Sequence, residues 1–388
     1  MKWENNKISD VCEVGDGAHA SIKRHESGVL YLTSKNFKAD GIDFSKIDFI
    51  SREDFEKHFR EGKSAIVKPK ENDLLMSIIG SIGAPYLVRD QDEFGLSSSV
   101  SILRPNTSKI WPKFLYYWIR SEVFQTSLNN IKSGVAQSFL SLSMIRSLPV
   151  KYPNDIKSQQ KIASILSAYD DLIENNLKRI RLLEEAAQRL YQEWFVRFRF
   201  PGWEEAEFGP NGLPVGWERV KIGDELDQIS RRPKIRREDY KLSGRIPIVD
   251  QADGDIAGYT DDETYRHEFP LPILVFGDHT RRIKFVDSPF ASGADGTQLL
   301  YPKNPRLLPA YFYFVVKSIN LSNYAYARHF KYLKEEEMLI PDENSLKEFN
   351  MYAYLFLNQV ASLRKQNQKL KEARDLLLPR LMDQRIEV

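Results

Sequence analysis

The chain has one cysteine, Cys12, in 388 residues. One thiol cannot close an internal disulfide or supply a multi-cysteine zinc site. No apolar run approaches the roughly 18 residues that cross a bilayer, so no membrane association is expected. The start, "MKWENNKISD", is polar and lacks the apolar core of a signal peptide, which points to a cytoplasmic protein. Neither sign of charge dominates: 56 Lys and Arg face 54 Asp and Glu, a net charge of +2. Total charge does not report its distribution, so this balance neither supports nor excludes a nucleic-acid partner. No GxxxxGK[ST] motif is present, no dinucleotide-type GxGxxG, and no Asn/Asp-Pro-Pro-aromatic tetrapeptide of the kind found in amino-methyltransferases.

The chain does contain itself twice. "LEEAAQRLY" at 183–191 returns as "LKEARDLLL" at 370–378, 187 positions later. "WENNKISDV" at 3–11 is echoed by "WERVKIGDEL" at 217–226, and "GVLYLT" at 28–33 by "GRIPIV" at 244–249. "RPNTSKIWPKFLYYWI" at 104–119 is echoed by "YPKNPRLLPAYFYFVV" at 301–316, with Pro112/Pro309 and Tyr116/Tyr313 coinciding. "RSLPV" at 146–150 matches "EMLIP" at 337–341 more loosely. Good helix formers could explain the first pair alone. They cannot explain Trp-Glu starts and proline-aromatic blocks in the same order, so the chain is an internal duplication.

Each copy opens with a mixed part, 1–152 and about 212–343. Short apolar runs such as "DLLMSII" and "LPILVF" read as strands, punctuated by Gly, Pro and Asp. Each closes with a glycine-poor stretch, about 157–198 and 346–385, that reads as one long helix. Ile173, Asn176, Ile180, Leu183, Ala187, Leu190 and Trp194 keep a three-four spacing. So do Val360, Leu363, Asn367, Leu370, Arg374, Leu377 and Leu381. That is the pattern of a coiled-coil seam with polar interruptions. Two amphipathic helices packed on separate globular domains would show a similar stripe. The expected architecture is α+β. Two mixed α/β domains are separated by a long antiparallel two-helix coiled coil with pseudo-two-fold symmetry. The expected boundaries are 1–152, a helix over 153–200, a linker over 201–216, a second domain over 217–343 and a helix over 344–388. A helix of about 42 residues spans roughly 60 Å.

Paired recognition modules at a set spacing are the design of symmetric DNA readers, and diverged modules imply two different half-sites. Candidate contacts follow from side-chain chemistry. "RRPKIRR" (231–237) places Arg231, Arg232, Lys234, Arg236 and Arg237 in a proline-broken loop, suited to phosphates or to guanine forks. "GDHTRRIKF" (277–285) adds Arg281, Arg282 and Lys284. Its counterpart "GSIGAPY" offers Ser81 among small residues that let the backbone approach closely. "SGVAQS" (133–138) offers Gln137 and Ser138, and glutamine can pair with adenine. "ARHFKYL" offers Arg328, His329 and Lys331, and "HASIKRH" (19–25) adds His19, Lys23, Arg24 and His25. Each could equally be ordinary solvated surface. Asp54, Glu61 and Lys63 have nuclease-like spacing, but such spacing arises readily in so charged a chain. Asp278 beside His279 has no second ligand cluster, and no metal site is assigned.

The junction "LYQEWFVRFRFPGWE" (190–204) with "GLPVGWE" (212–218) resembles that of specificity subunits of type I restriction–modification systems. So do "GDGAH", "GSIGAPYLV", "SGVAQSFLSLSMIRSLPV" and "YARHFKYLKEE". The resemblance spans essentially the whole chain. It implies a non-catalytic subunit whose two target-recognition domains each read half of a bipartite site on double-stranded DNA. It also implies helices that dock two modification subunits, together with restriction subunits. S-adenosylmethionine, ATP and Mg would belong to those partners and not to this chain. A two-headed coiled-coil adaptor for protein ligands, without DNA specificity, is the alternative on the residues alone. A nuclease or methyltransferase acting by itself is opposed by the missing motifs.

Overall fold

The computed structural model describes residues 2–38, 41–60, 66–133, 139–229, 232–252, 254–293, 296–324 and 328–388. The chain divides into two compact units, one of residues 1–176 with 366–388 and one of residues 177–365. The division falls inside both long helices, not at their ends, because each half-helix packs into the core of a unit.

In the first unit, strand Trp3–Lys7 pairs antiparallel with Pro149–Pro153, Trp3 opposite Pro153. A four-stranded sheet runs Cys12–Asp16, Val100–Pro105, Leu74–Ser77, Pro85–Leu87. A three-stranded sheet runs Asp48–Ile50, Val29–Leu32, Phe94–Leu96, the last pair parallel. Strand Leu74–Ser77 shows why its sequence is a continuous apolar run and not an alternating one. Alternate side chains leave opposite faces of a strand. Leu74 and Met76 enter the core built with helix Pro112–Arg120, while Leu75 enters a second core with Leu32, Phe37 and Ile102. Both faces are covered, so both must be apolar.

The second unit repeats this plan. Glu218–Lys221 pairs antiparallel with Glu337–Ile340. Ile273–Gly277 lies between Ile283–Val286 and Thr297–Leu300. Ile246–Val249 pairs parallel with Phe290–Ser292, as Val29–Leu32 does with Phe94–Leu96. Ile273 and Val275 enter one core, and Leu274 and Phe276 the other. Helix Pro309–Ser318 corresponds to Pro112–Arg120, each with proline in its first turn, where a missing N–H costs nothing. Strand register corrects two sequence matches. The Leu32 carbonyl accepts from the Ser97 amide as the Val249 carbonyl does from the Gly293 amide, so "GVLYLT" and "GRIPIV" are one residue out of step. Glu4 faces Tyr152 and Glu218 faces Ile340, so Tyr152 and Ile340 are equivalent. "RSLPV" and "EMLIP" are therefore three residues out of step, their likeness being one of composition.

The first long helix is Ile156–Tyr191 and continues as a π-helical turn, Gln192–Val196. The second is Glu343–Met382, with Pro379 inside its last turns. Both start at an aspartate: Asp155 accepts from the Ser158 amide at 2.8 Å, and Asp342 from the Asn344 and Ser345 amides at 3.0 and 2.9 Å. These side chains satisfy helix N–H groups that have no carbonyl partner.

Within the first unit, Asn176 donates to Gln366 (2.9 Å) and Asn367 (2.8 Å), and Asp170 accepts from Arg374 at 2.5 Å. Within the second, Ile180 packs with Val360 and Leu363, and Trp194 with Phe349. In each unit the numbers fall along one segment as they rise along the other, so the segments run antiparallel. Ile173, Asn176, Ile180, Ala187, Trp194, Val360, Leu363, Asn367, Arg374 and Leu381 are buried. Leu183, Leu190, Leu370 and Leu377 are partly buried. Leu378, outside the three-four spacing, is also buried.

Candidate nucleic-acid interface

The same three backbone segments build one edge in each unit. In the first, Ala18 bridges Ser97, with its amide on the Leu96 carbonyl at 2.8 Å. The Ile78 amide donates to Ser99 O (3.0 Å), and the Leu140 amide to Ile78 O (3.0 Å). In the second, Ile235 bridges Gly293, with its amide on Ser292 O at 3.0 Å. The Asp278 amide donates to Gly296 O (2.7 Å), and the His329 amide to Asp278 O (2.9 Å). Bond for bond, Ala18 corresponds to Ile235, Ile78 to Asp278 and Leu140 to His329. Gly17 is required where it stands, since a Cβ there would collide with the Leu96 carbonyl oxygen. Gly80, at φ +73°, turns the chain with open space around it, which glycine does without steric cost.

The side chains singled out by sequence divide into exposed and committed groups. In the first unit His19 is exposed beside Asp16, 2.8 Å from its carboxylate, and Lys23 and Ser81 are exposed. Arg24 is engaged instead. It lies over the Tyr31 ring at 3.8 Å and donates to the Ile22 carbonyl at 2.6 Å. Gln137 and Ser138 lie outside the described residues, as do Glu61 and Lys63.

In the second unit Arg232, Arg236 and Arg237 are exposed, while Arg231 lies outside the described residues. Lys234 turns inward and donates to the Thr297 carbonyl at 3.0 Å. Arg281 and Arg282 are exposed, and Arg281 donates to Leu321 O at 3.3 Å. Lys284 departs from the expected surface role. Its side chain is 10% exposed and its ammonium sits on the Gly254 carbonyl at 2.5 Å. His329 departs likewise, 5% exposed, with its ring nitrogens 2.8 Å from Asp278 O and 2.9 Å from Tyr324 O. Both side chains are largely buried, and a buried polar group persists only where partners such as these carbonyls satisfy it. Arg328 and Lys331, on either side of His329, are exposed.

Burial, and then the neighbouring Arg232 charge, hold the His267 pKa below its ordinary value. Its ring stacks on Phe290 at 5.1 Å. Asp278 is buried and accepts from the Phe330 amide at 2.8 Å, a structural role. Among the described residues no group of three or more His, Cys, Asp and Glu could hold a metal ion. Nor is any helix there long and apolar enough to cross a membrane.

Charge and amides in the sequence do not single out Ile79, Phe139 or Gln251, and His279 enters there only beside Asp278 as a metal-ligand candidate. Ile79 and Phe139 are each 44% exposed and face one another across an antiparallel bridge. Gln251 accepts from the His279 amide at 3.2 Å, and its carbonyl accepts from the Thr280 hydroxyl at 2.9 Å.

Two units of one plan, each presenting a loop edge and the second an edge with several exposed cations, define the class of a duplicated protein with two matched surface edges. Residues 1–185 match the model of the type I restriction modification DNA specificity domain. The chain is 25% identical to the MjaIX specificity subunit of Methanocaldococcus jannaschii, over 98% of this chain and 92% of that one. It is 31% identical to the HindI specificity subunit of Haemophilus influenzae, over 36% of this chain and 30% of that one. In fold it is similar to the crystal structure of a type I restriction–modification S subunit from M. genitalium, with TM-score 0.58 and 14% identity over 98% of this chain and 96% of the other. Over residues 1–185 the chain thus carries the match to a type I DNA specificity domain, and over nearly its whole length it is similar to type I specificity subunits.

Proposed function

We propose that this chain selects DNA for a type I restriction–modification complex, each unit reading one half of an asymmetric bipartite site. The observation that carries this reading is the matched edge. The same three segments and hydrogen bonds recur in both units, while the side chains they hold out differ. One scaffold with two chemistries suits two half-sites of different sequence. The long helices, continuous from one unit into the other, set the distance between half-sites. Their outward apolar side chains supply the docking surface for two modification subunits: Leu172, Leu177 and Leu182 on the first helix, and Met351, Leu355 and Leu376 on the second, are each at least half exposed. Methyl transfer and cleavage, with S-adenosylmethionine, ATP and Mg, belong to the modification and restriction subunits. Action on DNA in the cytoplasm accords with this reading.

Methylome sequencing of cells expressing the chain with its modification subunit tests the proposal. New methylation at an asymmetric, interrupted motif is expected. A contiguous motif, or no new methylation, overturns it.

A further inference from the structure

The two matched edges differ most at one pair of positions. The residue after Ile78 is Ile79, and the residue before Leu140 is Phe139. By the same hydrogen bonds their equivalents in the second unit are His279 and Arg328, both exposed. Residues directly opposite across an antiparallel bridge point to the same side, so Ile79 and Phe139 form one exposed apolar pair. Their backbone is held by hydrogen bonds: Ser77 Oγ donates to Ile79 O at 2.7 Å, and the Leu140 amide donates to Ile78 O at 3.0 Å. The turn that follows, 78–84, carries no charged side chain, so it has no cation to offer a phosphate. The open space at Gly80 lets a ligand approach the backbone.

On the groove edges of DNA the one apolar feature is the C5-methyl of thymine, while guanine offers two acceptors to an arginine fork. We propose that Ile79 and Phe139 are specificity-determining residues that recognise a thymine methyl in the half-site of the first unit. His279 and Arg328, at the same backbone positions, give the second unit a polar reading of its own half-site. This inference rests on the bipartite reading and refines it. It assigns base contact to two residues that carry no charge or amide.

The test uses the full chain assembled with its modification subunits and duplexes carrying the methylated motif. Each thymine is replaced in turn by uracil, which lacks only the methyl group. Binding should weaken about four-fold, the worth of one buried methyl, at one or more thymines of one half-site. In the Ile79→Ala/Phe139→Ala double variant that sensitivity should vanish, with the other half-site still selected. Phe139→Leu, a milder change, should leave the sensitivity reduced but present. Uracil-insensitive binding by the unaltered protein, which needs no variant to fold, overturns the inference. So does a double variant that keeps full sensitivity. A bipartite motif with no uracil effect sinks only this inference, whereas a contiguous motif sinks the reading beneath it.

Discussion

Trp217 donates its indole N–H to the Asp342 carboxylate at 2.9 Å, tying the first strand of the second unit to the start of its closing helix. The same carboxylate caps that helix and accepts from the Ser345 hydroxyl at 2.6 Å. The Trp217 ring packs on Phe195 and Phe200 at 5.7 and 5.0 Å, so the junction residues surround it. Burial alone would raise the Asp342 pKa, but the hydrogen bonds from Ser345, Trp217 and Asn344 outweigh it and hold it below the usual carboxylate range. A lowered folded pKa stabilises above the unfolded value, about 3.9, and that contribution is lost as pH falls through the folded value. Asp342→Ala should cost about 1 to 2 kcal/mol at neutral pH. Asp342→Asn should keep part of the cap and show a flatter loss of stability below about pH 4. Thermal melts across pH check both; an unchanged acid limb in Asp342→Asn would remove the carboxylate from the explanation.

Arg374 is buried and bound to Asp170, which also accepts from the Tyr117 hydroxyl at 2.6 Å. Asp170 also lies 3.7 Å from Arg120, and Arg374 also pairs with Asp375 at 2.8 Å, so removing one partner weakens the network without leaving the other charge unpaired. Arg374→Ala should destabilise by about 2 kcal/mol, the worth of its hydrogen bonds to charged groups, and Arg374→Met with Asp170→Leu by less. Chemical denaturation of the three proteins measures this, and a double variant no more stable than Arg374→Ala would contradict the expectation.

A seven-residue insertion in each long helix adds about 10 Å. At roughly 3.4 Å per base pair, the unread spacer should grow by about three base pairs while both half-sites stay the same. Methylome sequencing reports motif and spacer together. Altered half-sites at the old spacing would show that the helices do not set the distance.

Arg232, Arg236 and Arg237 are exposed on one loop of the second unit. Changed together to Ala, they should flatten the plot of log affinity against log salt by up to about 2.7, near 0.9 for each phosphate no longer neutralised. Lys284→Ala should instead lower stability and leave the slope alone, because its ammonium holds the Gly254 carbonyl. Titration of DNA binding at several salt concentrations separates the two, and equal slopes for the triple variant and the parent would assign that loop to solvent.

Periodicity made the long helices legible because one face of each must be apolar over many turns. The burial of Ile180, Val360 and Leu363 follows that spacing. Their starts were harder to place, since Asp155 and Asp342 act through hydrogen bonds that composition does not weigh. Among the candidate contacts, sequence ranked residues by chemical type. It could not tell Lys284 and His329, which hold backbone carbonyls, from Arg328 and Lys331, which face solvent. Ile79 and Phe139 escaped notice because an apolar residue in a strand-rich region reads as core until its exposure is known.

The duplication, the helical stripes and the family likeness are properties of residue order, and the chain alone determined them. Which polar side chains reach solvent was decided by tertiary structure. Lys284, on a strand, has the Gly254 carbonyl within reach and turns inward, while Arg328 and Lys331 lie exposed. The equivalence of Ile79 with His279 was decided there too. Little in their surrounding sequence aligns them, but the hydrogen bonds of a shared backbone frame do.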